Sequence, residues 1–336
     1  MKTWEIKDAF GIDALQLAER PDPPLQHGQV RVRVRAVSLN YRDLMTVKQG
    51  GARPVRLPLI PCSDGAGEVV EVGPGVTRVK VGDRVAGIFF QSWLAGDIKA
   101  AYFASALGGA LDGMLADLVV LHEDGLVHFP AHMTYEEAAT LPCAAVTAWQ
   151  GQVTKGGIKA GDTILVQGTG GVSIFALQFG VMAGARVVLT SSSDEKLARA
   201  RQLGAWQTIN YRTTPEWGKR VVELTNGEGV DHVVEVGGAG TLEQSFQATR
   251  VGGTISLIGV LTGFAGKVDP YPVLRKGLRL QGIYVGSREM FEAMNKALAI
   301  HHTKPVIDRV FPFAETREAL TYMESAAHFG KIVITV

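Results

Sequence analysis

Cysteine is scarce in this chain. Cys62 and Cys143 are the only two among 336 residues, too few for a disulfide framework and in keeping with a reducing compartment. Neither sign of charge is in excess: Lys and Arg number 34 against 33 for Asp and Glu. No basic surplus is available for a phosphate backbone or an anionic bilayer, so neither a nucleic-acid nor a membrane partner is expected. The opening Met-Lys-Thr-Trp-Glu-Ile-Lys-Asp carries early charges and no apolar stretch, so it does not read as a secretory signal. A continuous membrane span is missing as well. Residues 163–185 include no charged side chain, and their length would suffice to cross a bilayer. Gly168-Thr169-Gly170-Gly171 would break such a helix near its start. A buried strand, a tight turn and a buried helix account for the segment better. The expectation is a soluble, cytoplasmic protein.

What is abundant is apolar material and glycine. Hydrophobic residues make up 46% and charged residues 20%, enough for a packed core and unlike a disordered chain. The 40 glycines exceed the usual ~7% of a chain and follow no collagen-like period, which points to turns and close backbone approaches.

Two grammars divide the chain. In the first third, Val30-Arg31-Val32-Arg33-Val34-Arg35 alternates with period two, as a half-exposed strand does. Residues 68–72 read as a strand running into Gly73-Pro74-Gly75, and residues 79–85 as a strand pair across Gly82-Asp83. Closely spaced strands punctuated by Gly and Pro suggest a small, partly closed β-barrel. Thr134 then reads as the N-cap of a helix. From residue 160, strands (163–167, 186–190, 206–210, 231–236, 254–259, 280–285) alternate with helices (172–183 and 194–203 among them). That rhythm is α/β, a doubly wound parallel sheet. Helices over 289–299 and 315–327 and a strand over 331–336 follow, the strand rejoining the first domain. The boundaries are set at 1–143 with 286–336 for the barrel domain, and 144–285 for the dinucleotide domain.

Gly168-Thr169-Gly170-Gly171-Val172-Ser173 follows a buried strand and opens a helix, the context in which a glycine turn cradles a pyrophosphate. Gly168 permits the turn and Gly170 the close approach. Gly171 and Val172 open the helix, and Ser173 stands where a third glycine is usual. At the end of the next strand an NAD site carries an acid for the ribose hydroxyls. Here Ser191-Ser192-Ser193 stands instead, leaving room for a 2′-phosphate, with Lys196 one turn on to meet its charge. Tyr211 and Arg212 are placed to flank the adenine end. The expected cofactor is NADP, as NADPH; the plainer reading of Lys196 and Arg212 is ordinary surface charge.

Taken with Ser38-Leu39-Asn40-Tyr41-Arg42-Asp43, Ser63-Asp64-Gly65-Ala66-Gly67-Glu68-Val69, Gly82-Asp83-Arg84-Val85 and Leu141-Pro142-Cys143-Ala144-Ala145-Val146-Thr147-Ala148-Trp149, the glycine turn makes the chain resemble the medium-chain dehydrogenase/reductase superfamily over nearly its whole length. The resemblance implies a GroES-like catalytic barrel, a Rossmann domain, and a homodimer in which residues 280–285 pair with their copy. It implies that Thr147 lies beside the nicotinamide, that Gly259 and Val285 join the cofactor set, and that Lys331 stands near the cofactor diphosphate.

Zinc-containing members hold their catalytic metal with Cys, His and Cys. The matching positions here are Asn40, Ser63 and Cys143, a poor zinc set. A structural-zinc lobe is lacking, since no cysteine falls between Gly87 and Leu121. The expectation is a metal-free protein in which Cys143 is a small hydrophobe. Without a Lewis acid, reduction of a C=C bond conjugated to a carbonyl is the favoured chemistry. The zinc-free branch includes quinone oxidoreductases and enoyl reductases. Asn40-Tyr41-Arg42-Asp43 is similar to the motif of polyketide enoyl reductase domains, which makes Tyr41 the candidate proton donor and Asn40 a donor to the carbonyl or nicotinamide. The alternative for Tyr41 is a packing residue whose hydroxyl reaches water. Phe90, Trp93 and Phe264 are read as lining an apolar substrate pocket, or else as core. Arg288 is read as a substrate or phosphate ligand, or else as a helix-start ion pair with Glu292. An alcohol dehydrogenase or carbonyl reductase, and an NADPH-binding protein with little turnover, are the competing functions.

Overall fold

The computed structural model describes residues 1–51, 55–263 and 265–336. They form two units, Met1–Val146 with Val285–Val336, and Thr147–Tyr284. The observed boundaries fall at 146/147 and 284/285, against the expected 143/144 and 285/286.

In the first unit, β1 (Lys2–Glu5) and β2 (Gln16–Glu19) pair as an antiparallel ribbon. The long β3 (Gln29–Ser38) buries Val30, Val32 and Val34 and turns Arg31, Arg33 and Arg35 outward, as its alternation requires. β4 (Asp64–Val72) pairs antiparallel with β3 and sets Asp64 opposite Ser38. β5 (Arg84–Gly87), β6 (Leu118–His122) and β7 (Leu126–His128) extend the sheet. The strand expected over residues 79–81 is not formed. Asp83 folds that stretch into a turn, its carboxylate accepting from Lys80 N at 3.0 Å and its carbonyl from Val69 N at 2.9 Å. Thr134 caps the helix Tyr135–Ala139 in a reciprocal capping box with Glu137.

The second unit carries β8 (Thr163–Gln167), β9 (Arg186–Ser191), β10 (Gln207–Asn210), β11 (Val230–Glu235), β12 (Thr249–Leu257) and β13 (Arg279–Gly282). They form one parallel sheet in the order β10-β9-β8-β11-β12-β13, the doubly wound order that reverses between its first and fourth strands. β8 is buried throughout, and no helix among the described residues is long and apolar enough to cross a membrane. The strand expected over 280–285 stops at Gly282, and beyond it Val285 takes φ +54°, outside any extended conformation.

The chain then returns to the first unit. The helix Arg288–His301 leads to β14 (Ile307–Pro312), and the helix Thr316–Glu324 to β15 (Lys331–Thr335). β15 pairs antiparallel with β3, Val333 opposite Ser38, so the sheet runs β14-β15-β3-β4-β5-β7 with β6 also on β3. Lys331 is thereby carried to the end of β3 where Asn40 begins the next helix. Val32, Val34, Val69, Val85, Leu121, Ile332 and Ile334 lie in the core of this partly closed barrel.

Candidate active site

In the second unit the glycine turn sits at the carboxyl end of β8. Gly168 has φ +73°, a conformation that glycine adopts without a steric cost. A Cβ on Gly170 would meet no heavy atom within 4 Å, so the backbone there faces open space of the kind a ligand fills. The helix Gly171–Met182 starts without a side-chain cap and leaves its first N–H groups to an anion. Ser173 Oγ donates to Gln167 O at 2.6 Å, so the residue in the third glycine's place bonds back to the strand end. These features fit a dinucleotide diphosphate held by Gly168, Gly170, Gly171 and Val172.

Ser191, at the tip of β9, is buried, and Tyr211 N donates to Ser191 O at 3.1 Å. Ser191, Ser192 and Tyr211 therefore gather at one strand edge, with Lys196 in the first turn of the helix Asp194–Gln202. Asp194, the first acid after β9, accepts from Asn210 Nδ2 at 2.8 Å. Thr147 is buried. Gly259 has a packing reason to be glycine, since a Cβ would stand 2.1 Å from Val236 O.

The sequence reading missed Glu235. This fully buried carboxylate at the end of β11 accepts from Gly237 N (2.8 Å), Gly238 N (3.0 Å), Thr241 Oγ1 (2.6 Å), Gln167 Nε2 (2.6 Å) and Ser245 Oγ. It anchors the glycine loop that follows β11 beside β8. The only sequence signal was an acid following Val233-Val234 at the end of the strand.

In the first unit a polar centre is buried at the end of β3. Asp43 closes a capping box, its Oδ2 accepting from Asn40 N at 2.9 Å. Its Oδ1 accepts from Arg42 Nη1 at 3.0 Å and Ser63 N at 3.3 Å. Arg42 also donates to Leu107 O (3.0 Å) and Gly108 O (2.9 Å). Asp64 accepts from Ser63 Oγ at 2.7 Å and from Cys143 N at 3.0 Å. Lys331 Nζ donates to Leu39 O and to Asn40 Oδ1, both at 2.6 Å. Two carboxylates thus face two cations, which is what makes burying either sign tolerable.

Burial pushes the Asp64 carboxyl up to about 6, with the Lys331 ammonium opposing the rise and the Asp43 carboxylate adding to it. Burial likewise holds Lys331 below the ordinary lysine range, against the pull of Asp64. Cys143 and Cys62 are pushed up, first by burial, so both are protonated thiols at neutral pH. Tyr41 begins the helix Tyr41–Gln49 and is half exposed.

Lys331 departs from its expected place. It is buried in the first unit and spends its hydrogens on Leu39 and Asn40 instead of presenting them on a surface for a diphosphate. Phe90 and Trp93 also depart from the pocket reading. Both are fully buried in an aromatic cluster, Phe90 against Phe89 (4.7 Å) and Phe103 (5.6 Å), Trp93 stacked on Tyr102 (5.8 Å). Arg288 is committed to Asp124, whose Oδ1 lies at 2.9 Å, and to Glu292 at 3.6 Å. These contacts include the helix-start pair with Glu292 that was the alternative reading. Val285 is buried at positive φ, a strained conformation for a β-branched residue. Phe264 lies outside the described residues.

A zinc ion would need Asn40, Ser63 and Cys143. Asn40 Oδ1 already accepts from an ammonium, Ser63 Oγ is tied to Asp64, and Cys143 is left as the single thiol ligand. The donor set does not fit the metal.

Comparison with known proteins agrees with this architecture. The family described as alcohol dehydrogenase GroES-like domain matches residues 26–131, and that described as zinc-binding dehydrogenase matches residues 171–299. A zinc-type alcohol dehydrogenase-like protein of Schizosaccharomyces pombe is 44% identical over 97% of this chain and 96% of its own. A quinone oxidoreductase of Pseudomonas aeruginosa is 32% identical over 91% and 90%. A crystal structure of an NAD-dependent alcohol dehydrogenase superposes with a TM-score of 0.91 at 34% identity, covering both chains completely. The chain belongs to the medium-chain dehydrogenase/reductase superfamily. It is a nicotinamide-dependent oxidoreductase.

Proposed function

We propose that the protein is a zinc-independent, NADPH-dependent reductase of activated C=C bonds in enones, enals, enoyl groups or quinones. The observation that carries this reading is the first unit's donor set, in which hydrogen-bond donors and an internal ammonium stand where a Lewis acid would need free ligands. Negative charge growing on a carbonyl oxygen is then met by N–H and O–H groups. Likeness to a quinone oxidoreductase supports the same class.

In this reading Gly168, Gly170, Gly171 and Val172 hold the cofactor diphosphate. Ser191, Ser192, Lys196 and Tyr211 receive the 2′-phosphate and adenosine, and Thr147, Gly259 and Val285 serve the nicotinamide end. The reduced nicotinamide, when bound, supplies a hydride. Asn40 donates to the substrate carbonyl oxygen, and Tyr41 gives the proton that completes the reduction; its exposure lets solvent restore it. The likeness to an NAD-dependent alcohol dehydrogenase favours a second reading, carbonyl reduction on the same scaffold.

The protein is also proposed to be a homodimer joined through β13. That strand ends the sheet with all four residues exposed, and Leu274, Leu280 and Tyr284 stand out near it, an edge of the kind that second copies cover.

NADPH oxidation against matched enone, quinone, ketone and aldehyde panels tests the function. Enones or quinones are expected to lead by at least about tenfold in kcat/KM. A lead for ketones or aldehydes installs the second reading. Tight NADPH binding with no turnover leaves a binding protein.

A further inference from the structure

The Lys331 side chain lies deep in the first unit, and the position expected to serve a cofactor diphosphate is instead spent on Asn40. Its ammonium donates to Leu39 O and Asn40 Oδ1, each at 2.6 Å. At the other end of the same carboxamide, Asn40 Nδ2 is buried and makes no hydrogen bond. Asn40 as a whole is 8% exposed. A buried N–H pair without an acceptor is costly to keep and uncommon in folded proteins. An asparagine ordinarily escapes it by rotating its amide. Here rotation is blocked, because it would turn two N–H groups toward an ammonium and break a charge-assisted bond.

We propose that Lys331 is a positioning residue, an internal cation that locks and polarises the Asn40 carboxamide so that Nδ2 is held ready for the substrate carbonyl oxygen. The arrangement takes the place of a metal by other means. A Lewis acid would draw electrons from the carbonyl directly; the ammonium draws them from Asn40 Oδ1 and strengthens the N–H donors at the far end. Asp64, Asp43, Cys143 and Cys62 are the titratable groups that face Lys331. The two carboxylates balance Lys331 and Arg42 and let the ammonium remain inside. The Asn40 carboxamide N–H also faces Asp64 and helps hold that carboxyl down, from outside good hydrogen-bond geometry. Val333 opposite Ser38 is the register that brings the two side chains together. A shift of one residue would turn Lys331 to the other face.

The proposal rests on a carbonyl-bearing substrate, common to both functional readings, and separates from them in its test. Lys331→Met, Lys331→Arg, Asn40→Ala and the Lys331→Met/Asn40→Ala pair are compared for NADPH Kd by nicotinamide fluorescence. Their kcat and KM are measured with the panel acceptor that the native enzyme turns over. Lys331→Met is expected to lower kcat about ten- to a hundredfold, with NADPH Kd within about twofold. Lys331→Arg recovers part of the loss, and the double variant falls no further than Asn40→Ala alone. A tenfold rise in NADPH Kd with kcat intact would return Lys331 to the diphosphate and overturn the proposal. So would additive losses in the pair. A measurement on the native protein needs no variant to fold and no turnover. Saturating the NADP⁺ complex with cyclohexanone is expected to move the Asn40 side-chain ¹⁵N–¹H resonances, and unmoved resonances would count against the assignment. Failure of the panel itself, by contrast, strikes the proposed function.

Discussion

Each unit buries a carboxylate at the end of a sheet strand, and the two are treated in opposite ways. Glu235, in the second unit, is saturated by five donors, none of them charged: two glycine N–H groups, two hydroxyls and a carboxamide. Asp64, in the first, has a hydroxyl and one backbone N–H, with Lys331 and Asp43 pulling its carboxyl in opposite directions. The first arrangement is finished; nothing in it is left to bind anything, and it shapes a loop. The second leaves Asn40 Nδ2 unsatisfied. The difference is between a carboxylate whose acceptors are filled and a polar centre that keeps a donor without an acceptor.

The comparison breaks most visibly at Tyr41. If the first unit supplies the proton, Tyr41→Phe lowers kcat roughly ten- to several-hundredfold with NADPH affinity little changed. An unchanged kcat, with chemistry shown to limit the rate by a deuteride isotope effect, makes Tyr41 a packing residue. Glu235→Gln addresses the other side. An amide offers two N–H groups to a ring of donors, and losing charge-assisted bonds of this kind costs about 3 kcal/mol of stability. Urea unfolding should report the loss; a neutral result would mean the glycine loop holds itself.

His232 gives a pH test confined to the second unit. Its Nε2 lies 3.1 Å from Ser256 Oγ, and burial, with Arg279 adding, lowers its pKa to about 4. A base whose folded pKa is depressed contributes stability that is complete above the unfolded value near 6.5. That stability is lost as pH falls toward 4, about 3 kcal/mol in all. Melting temperatures of the native protein should fall over that window, and His232→Asn should flatten the slope. A slope equal in the variant would assign the acid sensitivity elsewhere.

Cofactor choice is a smaller effect. NADPH should bind at least about tenfold more tightly than NADH, Ser191→Asp should abolish or reverse the preference, and Lys196→Ala should weaken NADPH alone. Equal native affinities, read by fluorescence titration, would mean that Ser191 only relaxes selection. The smallest effect belongs to metal removal. Dialysis against a chelator should leave turnover unaltered and metal analysis should find well under one zinc per chain; stoichiometric zinc would overturn the reading of Asn40, Ser63 and Cys143.

Much of the second unit was written locally. The strand Thr163–Gln167, the Gly168 turn and the absence of an acid after β9 are each legible because strand, turn and helix start occupy consecutive residues and their chemistry is short-range. The period-two run at Val30 likewise declares which face is buried. What escaped depends on partners distant in the chain. Arg288 could be read as a ligand until Asp124 was seen beside it. Phe90 and Trp93 looked like pocket walls until the aromatic cluster closed around them. Glu235 hid its role because its donors come from the far ends of β8 and the following helix.

By itself, the amino-acid sequence determined the alternation of barrel and doubly wound sheet and the dinucleotide turn, each a property of residue type and near spacing. That Asn40 and Ser63 stand at zinc-ligand positions is what the family resemblance implies. Only the tertiary structure decided what Lys331 does. Its partner Asn40 lies 291 positions away, and they meet because β15 adds to β3 in one register. Hydrogen bonds reach about 3 Å, and no local pattern records which distant strands will be brought that close.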